Sequence, residues 1–76
     1  MAMPAETIRI QTDFIKLDAF LKYANAVGSG GEAKVQIAGG LVLVNGLPCA
    51  QRGKKLRDGD RVFFEGRDYL VRGESQ

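Results

Sequence analysis

An Asn-Gly pair closing a run of β-branched and leucine residues constrains this chain more than any other feature. Leu41-Val42-Leu43-Val44 leads into Asn45-Gly46 and out through Leu47. A two-residue type I′ turn needs φ > 0 at both central positions, a conformation that Asn and Gly tolerate best. The pair predicts a hairpin with arms at residues 41–45 and 47–50. Pro48 has no amide hydrogen, which confines the second arm to a sheet edge or an irregular path. The hairpin delivers the next segment to a defined place beside a sheet. That segment, residues 51–57, is a basic loop carrying Arg52, Lys54, Lys55 and Arg57, and Asp58-Gly59-Asp60 closes it as a turn.

The flanking chain supplies the other elements. Thr7-Ile8-Arg9-Ile10-Gln11 alternates polar and apolar residues, so Ile8 and Ile10 share one face of a short strand until Thr12 and Asp13 break it. Over residues 16–26, Leu17, Phe20, Leu21 and Ala24 recur at i, i+3, i+4 and i+7, the stripe of a helix buried on one face. Asp18 and Lys22 sit four apart in the favourable acid-first order. Tyr23 lies off the stripe, as a partly buried residue at the helix edge or as a surface stacking residue. Ser29 followed by Glu32 matches a capping box for a second helix over residues 30–38, ended by Gly39 or Gly40. Ala33 and Ile37 would face the core and Lys34 would project outward near the helix start. Residues 61–65 and 68–72 read as two strands joined by Gly66-Arg67. Phe63 and Phe64 point to opposite faces, so only one of them is naturally core. Residues 1–6 read as a loose start and residues 74–76 as a polar tail.

Seventy-six residues allow one domain with one modest core. The chain has no histidine and a single cysteine, Cys49. No internal disulfide can form, a zinc site lacks ligands, and a catalytic triad lacks its usual base. Cys49 reads as a small buried hydrophobe. No enzyme, metal or cofactor is expected. There is no apolar run long enough to cross a bilayer and no signal-peptide pattern, so a cytoplasmic protein away from membranes is expected.

The net charge of +2 is unevenly spread. Between residues 16 and 57, seven basic side chains (Lys16, Lys22, Lys34, Arg52, Lys54, Lys55 and Arg57) stand against Asp18 and Glu32, a local net of +5, and the remainder carries −3. A basic face on a nearly neutral protein suits a polyanion. Lysine runs are commonly just solvated surface, and Lys34 taken alone reads that way too.

Four groups of residues fall in an order that resembles a known family. They are Lys16-Leu17-Asp18-x-Phe20-Leu21, Ser29-x-x-Glu32-Ala33-Lys34, Ile37-x-x-Gly40-x-Val42-x-Val44-Asn45-Gly46, and Lys55-Leu56-x-x-Gly59-Asp60. The set is similar to the RNA-binding domain named after protein four of the small ribosomal subunit, the S-four domain. It covers roughly residues 15–62 of a single domain spanning 1–76. The Arg52-Gly53-Lys54-Lys55-Leu56 ending resembles the small stand-alone bacterial members, the YbcJ/YaaA-like proteins. The resemblance implies an α+β fold with two short helices on a small antiparallel sheet, and a helix-loop-strand surface (the alpha-L motif) that binds structured RNA. By the same resemblance Lys16, Lys34, Asn45, Lys54 and Lys55 occupy RNA-contact positions. Many members carry Ser-Arg at the start of the second helix; here Ser29-Gly30-Gly31 stands in its place, without that arginine.

The expectation is a non-catalytic, monomeric module that binds structured ribosomal or transfer RNA. Lys16, Lys34, Arg52, Lys54, Lys55 and Arg57 would gather on one face to neutralise phosphates. Asn45 would offer its side chain to RNA, or would serve only as the left-handed turn residue. The alternative is a protein-interaction module in ribosome assembly or RNA processing, using exposed edge strands, Phe63 or Phe64, and the basic loop against an acidic partner.

Overall fold

The structure, a computed structural model, describes residues 5–73. The expected loose start falls at residues 1–4 outside the described residues, as does the polar tail at 74–76. Nine elements follow one another: β1 (Glu6–Ile10), β2 (Ile15–Lys16), α1 (Leu17–Tyr23), α2 (Gly30–Ala38), β3 (Val42–Val44), β4 (Leu47–Pro48), β5 (Lys55–Leu56), β6 (Arg61–Phe64) and β7 (Arg67–Gly73). Glu6, expected in the loose start, opens β1 instead.

Five strands form one sheet in the order β1-β7-β6-β3-β4, and β2 with β5 forms a separate two-stranded ribbon. The large sheet is antiparallel except at one edge, where β1 runs parallel to β7 with Ile8 opposite Val71. The fold is α+β, with both helices on one face of a sheet that is antiparallel at three of its four pairings.

The Asn45-Gly46 turn has φ of 52° and 85°, the left-handed pair that the hairpin requires. Pro48 pairs with Leu43 on β4, an edge strand, where its missing amide hydrogen breaks no ladder. A second tight turn, Glu65-Gly66, also has φ > 0 at both residues and joins β6 to β7, one residue earlier than the expected Gly66-Arg67. Strand alternation puts Val62 and Phe64 in the core and leaves Phe63 exposed on the opposite face.

Helix α2 starts where Ser29 accepts a hydrogen bond from the Glu32 amide at 3.1 Å. Glu32 reaches back one residue further than a reciprocal box would, accepting from the Gly28 amide at 3.0 Å. Gly40, at φ 75°, ends the helix, with Leu41 N–H donating to the Gln36 carbonyl and Gly40 N–H to that of Ile37. Helix α1 is shorter than expected and stops at Tyr23, with Asn25 at φ 62° just beyond. Leu17, Phe20 and Leu21 from α1 and Ala33 and Ile37 from α2 are fully buried against Val42, Val62, Tyr69 and Val71 of the sheet. Tyr23 is 60% exposed, a correction to the partly buried placement. It sits off the apolar stripe and its hydroxyl donates to the Arg9 carbonyl at 3.0 Å. Cys49 is half-buried against the core cluster.

Candidate nucleic-acid interface

The β2–β5 ribbon joins the start of α1 to the basic loop. Its antiparallel register sets Ile15 opposite Leu56 and Lys16 opposite Lys55. Leu56 is fully buried and Ile15 packs on the core. Neighbouring strand residues must then point the other way, so Lys16 and Lys55 lie on the outer, exposed face. Arg57, two residues beyond Lys55, shares that face. So does Phe14, two residues before Lys16: Lys55 Nζ stands 4.7 Å from the centroid of its ring and the Arg57 guanidinium carbon 5.7 Å.

The basic loop is held by the start of helix α1. The first amides of any helix lack partners within it. Here Leu17 N–H donates to the Lys54 carbonyl at 2.8 Å and Asp18 N–H to the Arg52 carbonyl at 3.1 Å. Ala19 N–H is taken by the Asp18 carboxylate at 2.7 Å. The backbone carbonyls of the loop thus cap α1, while the side chains of Arg52, Lys54 and Lys55 remain exposed. At the far end Arg57 N–H donates to the Asp60 carboxylate at 2.8 Å.

Two acidic residues that follow the loop are engaged within the fold. Asp58 accepts from Gly73 N–H at 2.9 Å and pairs with Arg72 at 3.7 Å. Asp60 holds the Arg57 amide and the Asn45 side chain. Among the described residues the ion pairs are Arg72–Asp58 and Arg61–Asp68. Lys16 and Lys55 thus pair across the ribbon with Arg57 beside Lys55 at Phe14, the backbone of Arg52 and Lys54 lies against the start of α1, and no carboxylate of the described residues is paired to any of the five.

The other two candidate residues come from other elements, Lys34 from α2 and Asn45 from the β3–β4 turn, where it shares Asp60 with the Arg57 amide. Lys34 is exposed on α2, next to buried Ala33, and no hydrogen bond or ion pair among the described residues ties it to the ribbon. Asn45 is engaged within the fold. Its amide nitrogen donates to Asp60 Oδ1 at 3.1 Å, its side-chain oxygen accepts from Arg61 N–H at 2.9 Å, and its backbone N–H donates to the Arg61 carbonyl at 2.8 Å.

Sequence reasoning missed Phe14, which it left in the break between two elements. The only alternation nearby was Lys55-Leu56-Arg57 on the partner strand, since Phe14-Ile15-Lys16 sets two apolar residues in succession. Three residues are too few for such alternation to stand out.

Two comparisons bear on this geometry. Residues 8–72 match the S4 domain. The chain is also similar to the probable ribosome maturation protein RlbA of Bacillus subtilis (strain 168), with 47% identity over 62 residues, 82% of this chain and 87% of that protein. The matched span is longer than residues 15–62, because it takes in most of β1 and β7, which pair with each other. With both helices, the sheet and the basic ribbon inside it, the chain belongs to the S4 domain family of RNA-binding modules.

Proposed function

We propose that this protein is a non-catalytic module of ribosome maturation that grips structured ribosomal RNA by its phosphates. The gripping surface is the outer face of the β2–β5 ribbon with its loop: Lys16, Arg52, Lys54, Lys55 and Arg57. What supports the reading is the pairing of Lys16 with Lys55 from two distant parts of the chain, with the Arg52 and Lys54 carbonyls capping α1 beside them and no carboxylate of the described residues paired to any of the five. The likeness to a ribosome maturation protein favours ribosomal over transfer RNA. Lys34 extends the surface as a peripheral phosphate contact, and Asn45 holds the fold beside it. The chain acts as a single domain, as a monomer and in the cytoplasm, where ribosomes are assembled.

Binding of ribosomal RNA transcribed in vitro, with transfer RNA as competitor, tests this when titrated against salt. Four neutralised phosphates give a slope of log K against log salt of roughly −3 to −4. An affinity that ignores salt would exclude the phosphate mechanism.

One observation favours a protein partner as a second reading. Phe63 is 42% exposed and, with Leu43, Arg61 and Asp68, lines an open hollow of about 390 Å³. A partner retained after nuclease treatment and lost on Phe63→Ser would support it.

A further inference from the structure

The Phe14 ring is half-buried, and the Thr12 hydroxyl fixes the local backbone by donating to the Phe14 carbonyl at 2.7 Å. Two cations approach that one ring, Lys55 Nζ at 4.7 Å from its centroid and the Arg57 guanidinium carbon at 5.7 Å. Both belong to the exposed face of the ribbon. Long cationic side chains on an open surface sample many rotamers, and ordering them on binding opposes association. Two like charges on the same strand face also repel and spread apart. The negative face of an aromatic ring offsets both effects by attracting cations to one place. It does so without using their N–H donors as hydrogen bonds would, so an ammonium and a guanidinium on a ring can still bind phosphate.

We propose that Phe14 is a positioning residue for RNA: its ring gathers the Lys55 ammonium and the Arg57 guanidinium before RNA arrives, so the ribbon meets the phosphate backbone with these cations already placed. The proposal rests on the RNA-binding reading above and adds a residue that acts through its two neighbours. It makes Phe14 an aromatic requirement in a surface that otherwise works by charge.

Four variants test it against ribosomal RNA transcribed in vitro: Phe14→Leu, Phe14→Tyr, Lys55→Gln with Arg57→Gln, and that pair combined with Phe14→Leu. In the free protein, the side-chain methylene protons of Lys55 and Arg57 carry upfield ring-current shifts, lost in Phe14→Leu and kept in Phe14→Tyr. Phe14→Leu, with its amide spectrum otherwise unchanged, weakens binding about three- to tenfold, the size expected of one or two exposed cation–π contacts. Phe14→Tyr stays within about twofold of the parent, because the ring face is retained. In the Lys55→Gln/Arg57→Gln background, Phe14→Leu has no further effect, since the groups it positions are gone. Unchanged affinity in Phe14→Leu overturns the proposal, as does an equal loss in the doubly substituted background, which would make Phe14 a direct contact or a fold support. Should the parent protein fail to bind the transcript, the RNA reading falls by itself, and the ring-current shifts still support or overturn the placement of the two cations.

Discussion

Lys16 and Lys55 face each other directly across the β2–β5 ladder. Like charges directly opposite destabilise a strand pair. Lys16 is also the N-cap of α1, where it makes no side-chain capping bond and sets a cation at the positive end of the helix dipole. Two local rules are thus broken at one residue, as happens where a surface serves binding rather than stability. Lys16→Glu restores both rules. It should raise stability by about 0.5–1 kcal/mol, read from the urea midpoint at unchanged slope. The same variant should bind ribosomal RNA about tenfold or more weakly, because a cation of the proposed interface is replaced by an anion. Lys16→Gln should fall between the two. A Lys16→Glu protein that is less stable yet binds normally would remove Lys16 from the interface.

Asn45 separates structural from binding roles in the opposite sense. Both ends of its carboxamide are bonded within the fold, to Asp60 and to the Arg61 amide, and it sits at φ 52°. Asn45→Gly keeps the left-handed conformation and loses both bonds, which should cost about 1–2 kcal/mol. Asn45→Ala should cost about 1 kcal/mol more, because alanine resists φ > 0. RNA affinity of the folded Asn45→Gly protein should stay within about twofold, since the side chains proposed to bind phosphate are untouched. Calorimetric melting beside an RNA titration decides it: full stability with lost affinity would make Asn45 an RNA contact.

Lys54 and Lys55 reach the surface from a backbone that caps α1 through the Lys54 carbonyl. Their side chains can be reversed without removing that cap, which belongs to the main chain. Lys54→Glu/Lys55→Glu should therefore leave the helix content by circular dichroism unchanged. Affinity should fall for every structured RNA by a similar factor, because binding to phosphates reads no base sequence. The salt slope should shrink by roughly one for each phosphate that the variant no longer neutralises. Weakening confined to a single RNA sequence would instead indicate base readout.

These surfaces were unequally legible in the sequence. The hairpin and α2 could be read because their signals are local: Asn45-Gly46 for the turn, Ser29 with Glu32 for the helix start. The basic loop was visible as composition. Its placement was not, because the ribbon pairs residues 15 and 16 with residues 55 and 56, about forty positions away, through strands of only two residues. No periodicity can be read from two residues. The parallel pairing of β1 with β7 escaped for the same reason, since it joins the two ends of the described chain. Asn45 was read as a turn residue from its neighbours, but its grip on Asp60 depends on where the β5–β6 turn comes to rest.

Tyr69 offers the sharpest test of the core. It is fully buried and meets Phe20 edge-on, with ring centroids 6.0 Å apart. Its hydroxyl is buried and forms no hydrogen bond among the described residues. The exposed Arg67 comes near it, and the hydroxyl is the first cause of a guanidinium pKa above its ordinary value, ahead of the Glu6 carboxylate. That approach falls short of satisfying the hydroxyl. A buried polar group without a partner carries a desolvation penalty of about 1–3 kcal/mol, while the ring stabilises the core by apolar burial and by its packing on Phe20. Tyr69→Phe removes the penalty and keeps the ring, so stability should be unchanged or higher by about 1 kcal/mol. Tyr69→Ala should cost about 3–5 kcal/mol, the loss of a large core side chain with a cavity left behind. Urea unfolding of the two variants measures both effects. A Tyr69→Phe protein destabilised by more than about 1 kcal/mol would mean that the hydroxyl is bonded in solution, to Arg67 or to a buried water.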